Sequence, residues 1–349
     1  MLGIRTSVLL LFIAAAHLPA QTSVDTAARP RPVLANTRDS LMIAHDTAAM
    51  AIHGPVLFLD CSTSGGSCGR VRAAAGICPL SRTQLNAVRT GVGGAFVAGN
   101  AYLYHYFKKA WWSGERAPHF FFHADWDQWF RDQDKFGHMF GGYHLARVGY
   151  LALREACVSD KKAIIWSAAY AAAFQLQIEI FDGQFKKYGF SYADMIANTT
   201  GQTLAIMQEL HPSWRAIKPT ISYHKTRALI NQENGTIQSG ELRPSLDYSG
   251  QTYWFSADMT KLLPEGTREY WPSFIRLSAG HSVTDWINPQ TGGVQRAKRK
   301  ILLSLDFDPE KLPGDAPLWR TIKRTLSYYH FPAPALELTP RLHLSPWYR

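Results

Sequence analysis

The chain holds no nucleophile elbow, no phosphate-cradling glycine loop and no dinucleotide fingerprint, so those routes from motif to enzyme class are closed. Cysteine is scarce. There are four in 349 residues, at spacings that fit no common zinc-ligand pattern. No internal repeat is evident, and the N-terminal apolar run, Val8 to Ala16, is too short to span a bilayer. Acidic side chains fall short of basic ones, 27 against 37, for a formal charge of +10. That excess is dispersed over Lys108-Lys109, Lys161-Lys162, Lys186-Lys187 and the run Arg296 to Lys300, which reads as solvated helix ends and loops. It could also draw the chain to anionic lipid or an acidic polymer, whereas nucleic-acid recognition has no motif behind it.

What is present begins with an export signal. Residues 1–20 carry one charge, Arg5, then the apolar run, then His17-Leu18-Pro19-Ala20 before Gln21. That is the layout of a secretory signal peptide with small Ala20 at the cleavage position. Its removal takes away Arg5 alone and lowers the formal charge to +9 over 21–349. No cysteine directly follows Ala20, so no lipoprotein signal is read there. Export makes disulfides chemically accessible. Residues 21–80 are Ala-, Pro- and Ser-rich and read as an exported leader and loop. Cys61, Cys68 and Cys78 lie in this stretch and Cys157 lies far beyond it. Four cysteines allow three pairings, and a Cys61–Cys68 loop clamp is the preferred expectation.

Residues 81–212 turn helical. Ser81-Arg82-Thr83-Gln84 resembles a capping box opening a helix towards Phe107, rich in Gly and Ala. An aromatic connector follows, from Trp111-Trp112 through His119 and His123 to Trp126 and Trp129. The His119/His123 spacing of four allows a metal pair, although an amphipathic interface segment suits the aromatics better. Further helices are expected from about Asp134 to Cys157, Lys161 to Phe181 and Ser191 to Leu210. The third has an almost uncharged interior and reads as a buried central helix, with a membrane-embedded one as the alternative. After Pro212 the period shortens to alternation. Strands are expected near Thr220–His224, Thr252–Ser256, Ser273–His281, Ile301–Phe307 and Leu336–Leu344, separated by turn dipeptides such as Asn234-Gly235. The fold class is therefore α+β: a helical core of about four helices, 81–212, followed by a β-rich region of about five mostly antiparallel strands, 213–349.

Carboxylates and imidazole are costly to bury unless paired, metal-bound or in use. Three polar clusters nevertheless punctuate the apolar helices: Asp134 to His138, Glu179 to Gly183, and Gly189 to Asn198. In an antiparallel bundle the start of the second helix, the end of the third and the start of the fourth can meet. Two chemistries suit the set. His138 with Asp134 or Glu179 performs general acid/base work, and Asp194, Asn198 and the connector's Trp126 bind. Alternatively His138, Glu179, Asp182 and Asp194 hold a divalent metal, the one cofactor the set suggests, whose bound water attacks an ester or phosphoester. The structural alternative makes Asp134 and Asp194 helix caps and pairs Lys135 and His138 with neighbouring acids. Asn198-Thr199-Thr200 and Asn234-Gly235-Thr236 match glycosylation acceptors by pattern.

These clusters, with Asp247 to Ser256, Leu303-Ser304-Leu305-Asp306 and Pro332 to Glu337, resemble the DUF2279 family of YfiM-like predicted periplasmic lipoproteins, from about Ala87 to the C-terminus. The Asp-Lys…His, Glu and Asp…Asn pattern alone is distantly similar to the VanZ-like family of small helical membrane proteins. The resemblance implies an envelope location and a helical core, without an activity. The expectation is a cell-envelope protein of the periplasm or outer membrane, structural or binding, with a membrane surface or envelope component as partner. The alternatives are a hydrolase of an envelope lipid or phosphoester and a membrane β-barrel component.

Overall fold

The computed structural model describes residues 78, 80–238 and 242–348. The signal peptide, the leader and the Cys61–Cys68 clamp lie outside the described residues. Helix α1 spans Arg82–Ala110 and opens on the expected capping box, with the Ser81 hydroxyl accepting from the Gln84 amide and the Gln84 side chain accepting from the Ser81 amide. Three further long helices follow: α2, Gln133–Glu155; α3, Asp160–Asp182; and α4, Tyr192–Leu210. The connectors around them carry the two-residue strands β1, Phe122–His123, and β2, Phe190–Ser191, paired in parallel.

The central helix is α2, not α3. Tyr143 and Ala146 of α2, Ala171 of α3 and Ala205 of α4 form one buried cluster. Small residues let the backbones approach: a Cβ on Gly201 would collide with the Met139 carbonyl, and one on Gly142 would collide with that of Asn198. Helix α3 flanks this pair. Among the described residues it is the one helix long and apolar enough to cross a membrane, and 28% of that stretch is buried, so it is not the buried centre expected from its composition. Its outward face exposes Ile165, Trp166, Leu176 and Ile180. Helix α1 leans on α2 through Val88, Val92 and Phe96 against Ala152 and Ala156, and a Cys78–Cys157 disulfide fastens the same end.

The chain then builds a six-stranded antiparallel meander: β3 Ile217–Tyr223, β4 Gln251–Ala257, β5 Ile275–Val283, β6 Arg299–Phe307, β7 Ala333–Thr339 and β8 His343–Tyr348. One more strand than expected arises because the Leu336–Leu344 alternation is broken at Pro340 and folds back as a hairpin. Period-2 patterning continues through such a turn and does not show it. Four short helices, Arg227–Glu233, Met259–Leu262, Glu265–Arg268 and Pro317–Leu326, interrupt the meander.

The sheet buries a polar row. Ser256, Ser278, Ser304 and Ala335 are cross-strand neighbours, and Asp306 accepts from the Ser256 hydroxyl beside them. The opposite face exposes Leu277, Leu303, Phe307 and Leu344. Part of it is covered by α2, where Phe136 stacks on His281 at 4.2 Å and the Gln133 side chain bridges the Gln251 carbonyl and His281 Nδ1. Helix α2 thus joins both layers, and its first two turns lie where they meet.

Candidate functional site

The N-terminus of α2 is set by an unusual approach. Asp127, Arg131 and Asp132 all hold positive φ, a conformation sparsely populated by residues with a Cβ. Ion pairs hold them there: Arg131 on Asp127, and Arg299 of β6 on Asp132 at 2.5 Å. This connector delivers Asp125 beside Asp134 and Lys135, the first residues of α2.

Lys135 is buried and its ammonium meets three carboxylates: Asp125, Asp134 at 2.9 Å and Asp194 at 2.9 Å. Asp125 also accepts from the Ser191 hydroxyl at 2.6 Å. Despite its burial, Asp125 is held below the ordinary carboxylate range by Lys135 and Ser191. Burial, with Asp194 beside it, pushes Asp134 up against the pull of Lys135. Asp134 also accepts from the Lys135 amide at 2.9 Å, so it serves an N–H of the first turn as well as the ammonium. Asp194 does not cap α4. The cap of α4 is Ser191, whose hydroxyl accepts from the Asp194 amide at 3.0 Å and leaves that carboxylate free for Lys135.

One turn on, His138 is gripped at both ring nitrogens. Nδ1 lies 3.1 Å from Asn198 Oδ1 and 3.7 Å from Glu179 Oε1, whereas Nε2 lies 3.5 Å from Asp194 Oδ1. Asn198 Oδ1 also accepts from Gln175 Nε2, and Gln202 Nε2 donates to Gln175 Oε1 at 2.6 Å. An amide oxygen can only accept, so His138 Nδ1 carries the hydrogen and Nε2 is the exchanging position. Burial disfavours the imidazolium, but Asp194, Glu179 and Asp134 outweigh it and raise the His138 pKa.

Glu179 is wholly buried, and its Oε1 has no hydrogen-bond partner. Burial pushes its pKa to about 8, against the pull of His138. An acid whose pKa is raised on folding binds a proton in the folded state, so its contribution is present below about 4.5 and is lost as pH rises through about 8. Glu179→Gln is therefore expected to flatten this fall. In urea unfolding the variant should gain on the parent from pH 5 to pH 9; a variant less stable than the parent at pH 9 would show the carboxylate to be a needed charge.

All these groups stand at one end of a cleft of about 900 Å³, which His138, Asp134, Asp182 and Asp194 line together with Asp125 and Ser191. Asp182 belongs to the cleft but not to the cluster: its Oδ1 accepts from Trp112 Nε1 at 2.6 Å, and burial pushes it to about 6. Trp126 is not brought to the cleft and is 57% exposed. The connector is not helical, so the spacing of His119 and His123 gives them no common face; His123 Nδ1 is bonded to the Tyr188 carbonyl instead. Asn198 is buried and engaged, which removes it as a glycosylation acceptor in the folded chain.

Among the described residues two groups lie close enough to share a metal: His138, Glu179 and Asp194, and Asp125, Asp134 and Asp194. The second already surrounds a cation, the Lys135 ammonium. In the first, the two carboxylates are closest to opposite ring nitrogens, an arrangement that grips an imidazole rather than converging on one of its lone pairs.

Sequence reasoning passed over Gln175, Gln202 and Asp125. Gln175 did carry a signal, since it lies four residues before Glu179 on an otherwise apolar helix and so shares its face. Asp125 had none beyond being an acid among aromatics.

Residues 128–209 match the family described as predicted periplasmic lipoprotein (DUF2279). This stretch covers α2 to α4 and every member of the cluster except Asp125. No curated protein and no solved structure matches the chain.

Proposed function

We propose that this chain is an exported cell-envelope protein that binds a ligand in the cleft between its helical layer and its sheet, with His138 as the proton-exchanging group. The description of the matched family supports the periplasmic compartment. Work at the periplasmic or outer-membrane surface, with a membrane surface or envelope component as partner, completes the reading, as do the wider YfiM-like and VanZ-like likenesses. The observation that carries it is the grip on His138: a donor-only Nδ1 towards Asn198, a lone pair or proton at Nε2 facing Asp194, and a buried Glu179 beside both. A purely structural histidine would not need three acids within reach at the end of a large cleft. The same exchangeable Nε2 favours, as second reading, acid/base hydrolysis of an envelope lipid or phosphoester. The six strands fall short of the usual minimum of about eight for a membrane barrel.

Nitrogen NMR of the His138 ring tests the reading. The ring is expected to hold its second proton above the ordinary value of about 6.5 and, when neutral, to keep the hydrogen on Nδ1. Asp194→Asn should lower that titration point, and Asn198→Ala should scramble the tautomer. A His138 that titrates at or below the ordinary value would sink the proposal. Divalent zinc or manganese shifting the ring nitrogens at micromolar levels would favour the metal set instead.

A further inference from the structure

We propose that the outward face of α3 is a membrane-docking surface, lying flat on an anionic bilayer with Ile165, Trp166, Leu176 and Ile180 among the acyl chains. This deepens the reading of a membrane surface as partner and rests on it.

A helix that is apolar on every side has to be covered, by protein or by lipid. The stretch Ala163–Ile178 holds no charge, and the inner side of α3 meets α2 and α4 through Ala171 and Gln175. The outer side is bare among the described residues. Every exposed residue between Lys162 and Ile180 is uncharged, and Trp166 is 63% exposed. Scattered apolar side chains in solvent are ordinary, but this row recurs at three- and four-residue spacing over about 22 Å of helix, from Ile165 to Ile180.

The row suits lipid better than a protein partner. A protein interface carries about one hydrogen bond per 100–200 Å², and the row offers a single polar side chain, Gln177. Lying on the bilayer also fits better than crossing it. Lys135, Glu179 and Asp194 stand on the inner side of the helix and would be carried into hydrocarbon with it, where each ion is costly.

Both ends of the row carry groups that bilayers anchor. At its start, Lys161 and Lys162 are exposed where anionic headgroups would lie, in a chain of formal charge +10. Past its end, Phe120 packs against Gly183, and its ring meets that of Phe122 at 5.4 Å. Phe122 stacks on Tyr192 at 5.2 Å and each is 57% exposed, with Ile196 bare one turn along α4. Rings that pack on one another yet stay uncovered form a belt suited to a membrane–water boundary. Charge steers the approach; the apolar row holds.

Flotation of the full-length chain with vesicles of phosphatidylethanolamine and phosphatidylglycerol tests this. Binding is expected to persist, within about threefold, at about 1 M salt, where the Debye length is about 3 Å and headgroup attraction is screened. Ile165→Asp combined with Leu176→Asp should weaken it at least about tenfold, and Trp166→Ala, which adds no charge, should weaken it in the same direction. These positions are exposed, so urea midpoints should stay with the parent. Leu303→Asp, at an exposed position on the sheet, should leave binding unchanged. Binding lost in salt, equal binding by the double variant, or loss on Leu303→Asp instead overturns the proposal. So does a dimer, formed without vesicles as concentration rises, that the double variant dissolves. If the double variant binds as the parent does, the membrane-surface reading stands and the docking face alone fails. If the parent does not bind vesicles at all, both fail, while the His138 titration still decides the cleft.

Discussion

Lys135→Met is expected to destabilise the folded protein by about 3–5 kcal/mol, the range for breaking a buried ion pair from one side. The ammonium is nearly inaccessible and is the common partner of Asp125, Asp134 and Asp194. Its removal leaves three carboxylates facing one another with no counter-charge. Two responses are open to them: protonation, which makes stability rise steeply as pH falls, or separation, which pulls the connector and α4 away from α2. Urea unfolding should show a lowered midpoint at pH 8 that recovers in part at pH 5. Adding Asp125→Asn and Asp194→Asn to Lys135→Met should restore much of the loss, because the repulsion rather than the missing contact dominates. A single variant within about 1 kcal/mol of the parent at pH 8 would mean that the cluster is already solvated.

The second large effect concerns the Cys78–Cys157 bridge, which closes a sequence separation of 79 residues. Chain-entropy reasoning gives about 4.5 kcal/mol for a loop of that length, and measured bridges deliver about 2–4. Cys78→Ala combined with Cys157→Ala is expected to fall in that measured range, leaving Cys61 and Cys68 untouched. The loss should concentrate in α1, since the bridge fastens its start to the far end of α2. Hydrogen exchange would show amides of α1 losing protection before those of α2 and α4. Uniform loss, or none, would mean that α1 is held by its own packing.

Much of this architecture was legible from pattern alone. The capping box at Ser81 and Gln84, the helix starts near Asp134 and Ser191, and the stop at His211-Pro212 are local events written in local residues, and each element lies within a few residues of its expected bounds. The choice of central helix was not legible. Composition made α3 look most buried, but burial is decided by which helix offers small residues to two neighbours, and that is a property of pairs. The Leu336–Leu344 alternation likewise concealed a turn, and the helix Pro317–Leu326 was passed over although Leu318, Trp319, Ile322 and Leu326 recur at helical spacing behind a proline.

The site divides in the same way. His138, Glu179 and Asp194 stood out because titratable groups in an apolar segment are conspicuous, and Asn198 because it lies four residues after Asp194 on the same helix face. Gln175 was muted by its neutrality, and Asp125 lay in a connector whose path depends on arginines 165 or more residues downstream, Arg296 and Arg299. The Cys78–Cys157 bridge joins cysteines brought together by α1 and α2, a pairing that sequence proximity does not show, and it is compatible with the expected Cys61–Cys68 clamp, which lies outside the described residues.

The seam at Gly142 and Gly201 has a bearing on how such a site can be varied. The distance across which His138 meets Asn198 is fixed one turn away by two positions whose relevant property is a missing carbon. They act as a spacer of zero thickness. Reactive side chains can be exchanged while that gauge stays the same, but a single methyl at either glycine would widen it for every group at once. The measure of the site is thus recorded where there is no chemistry to notice.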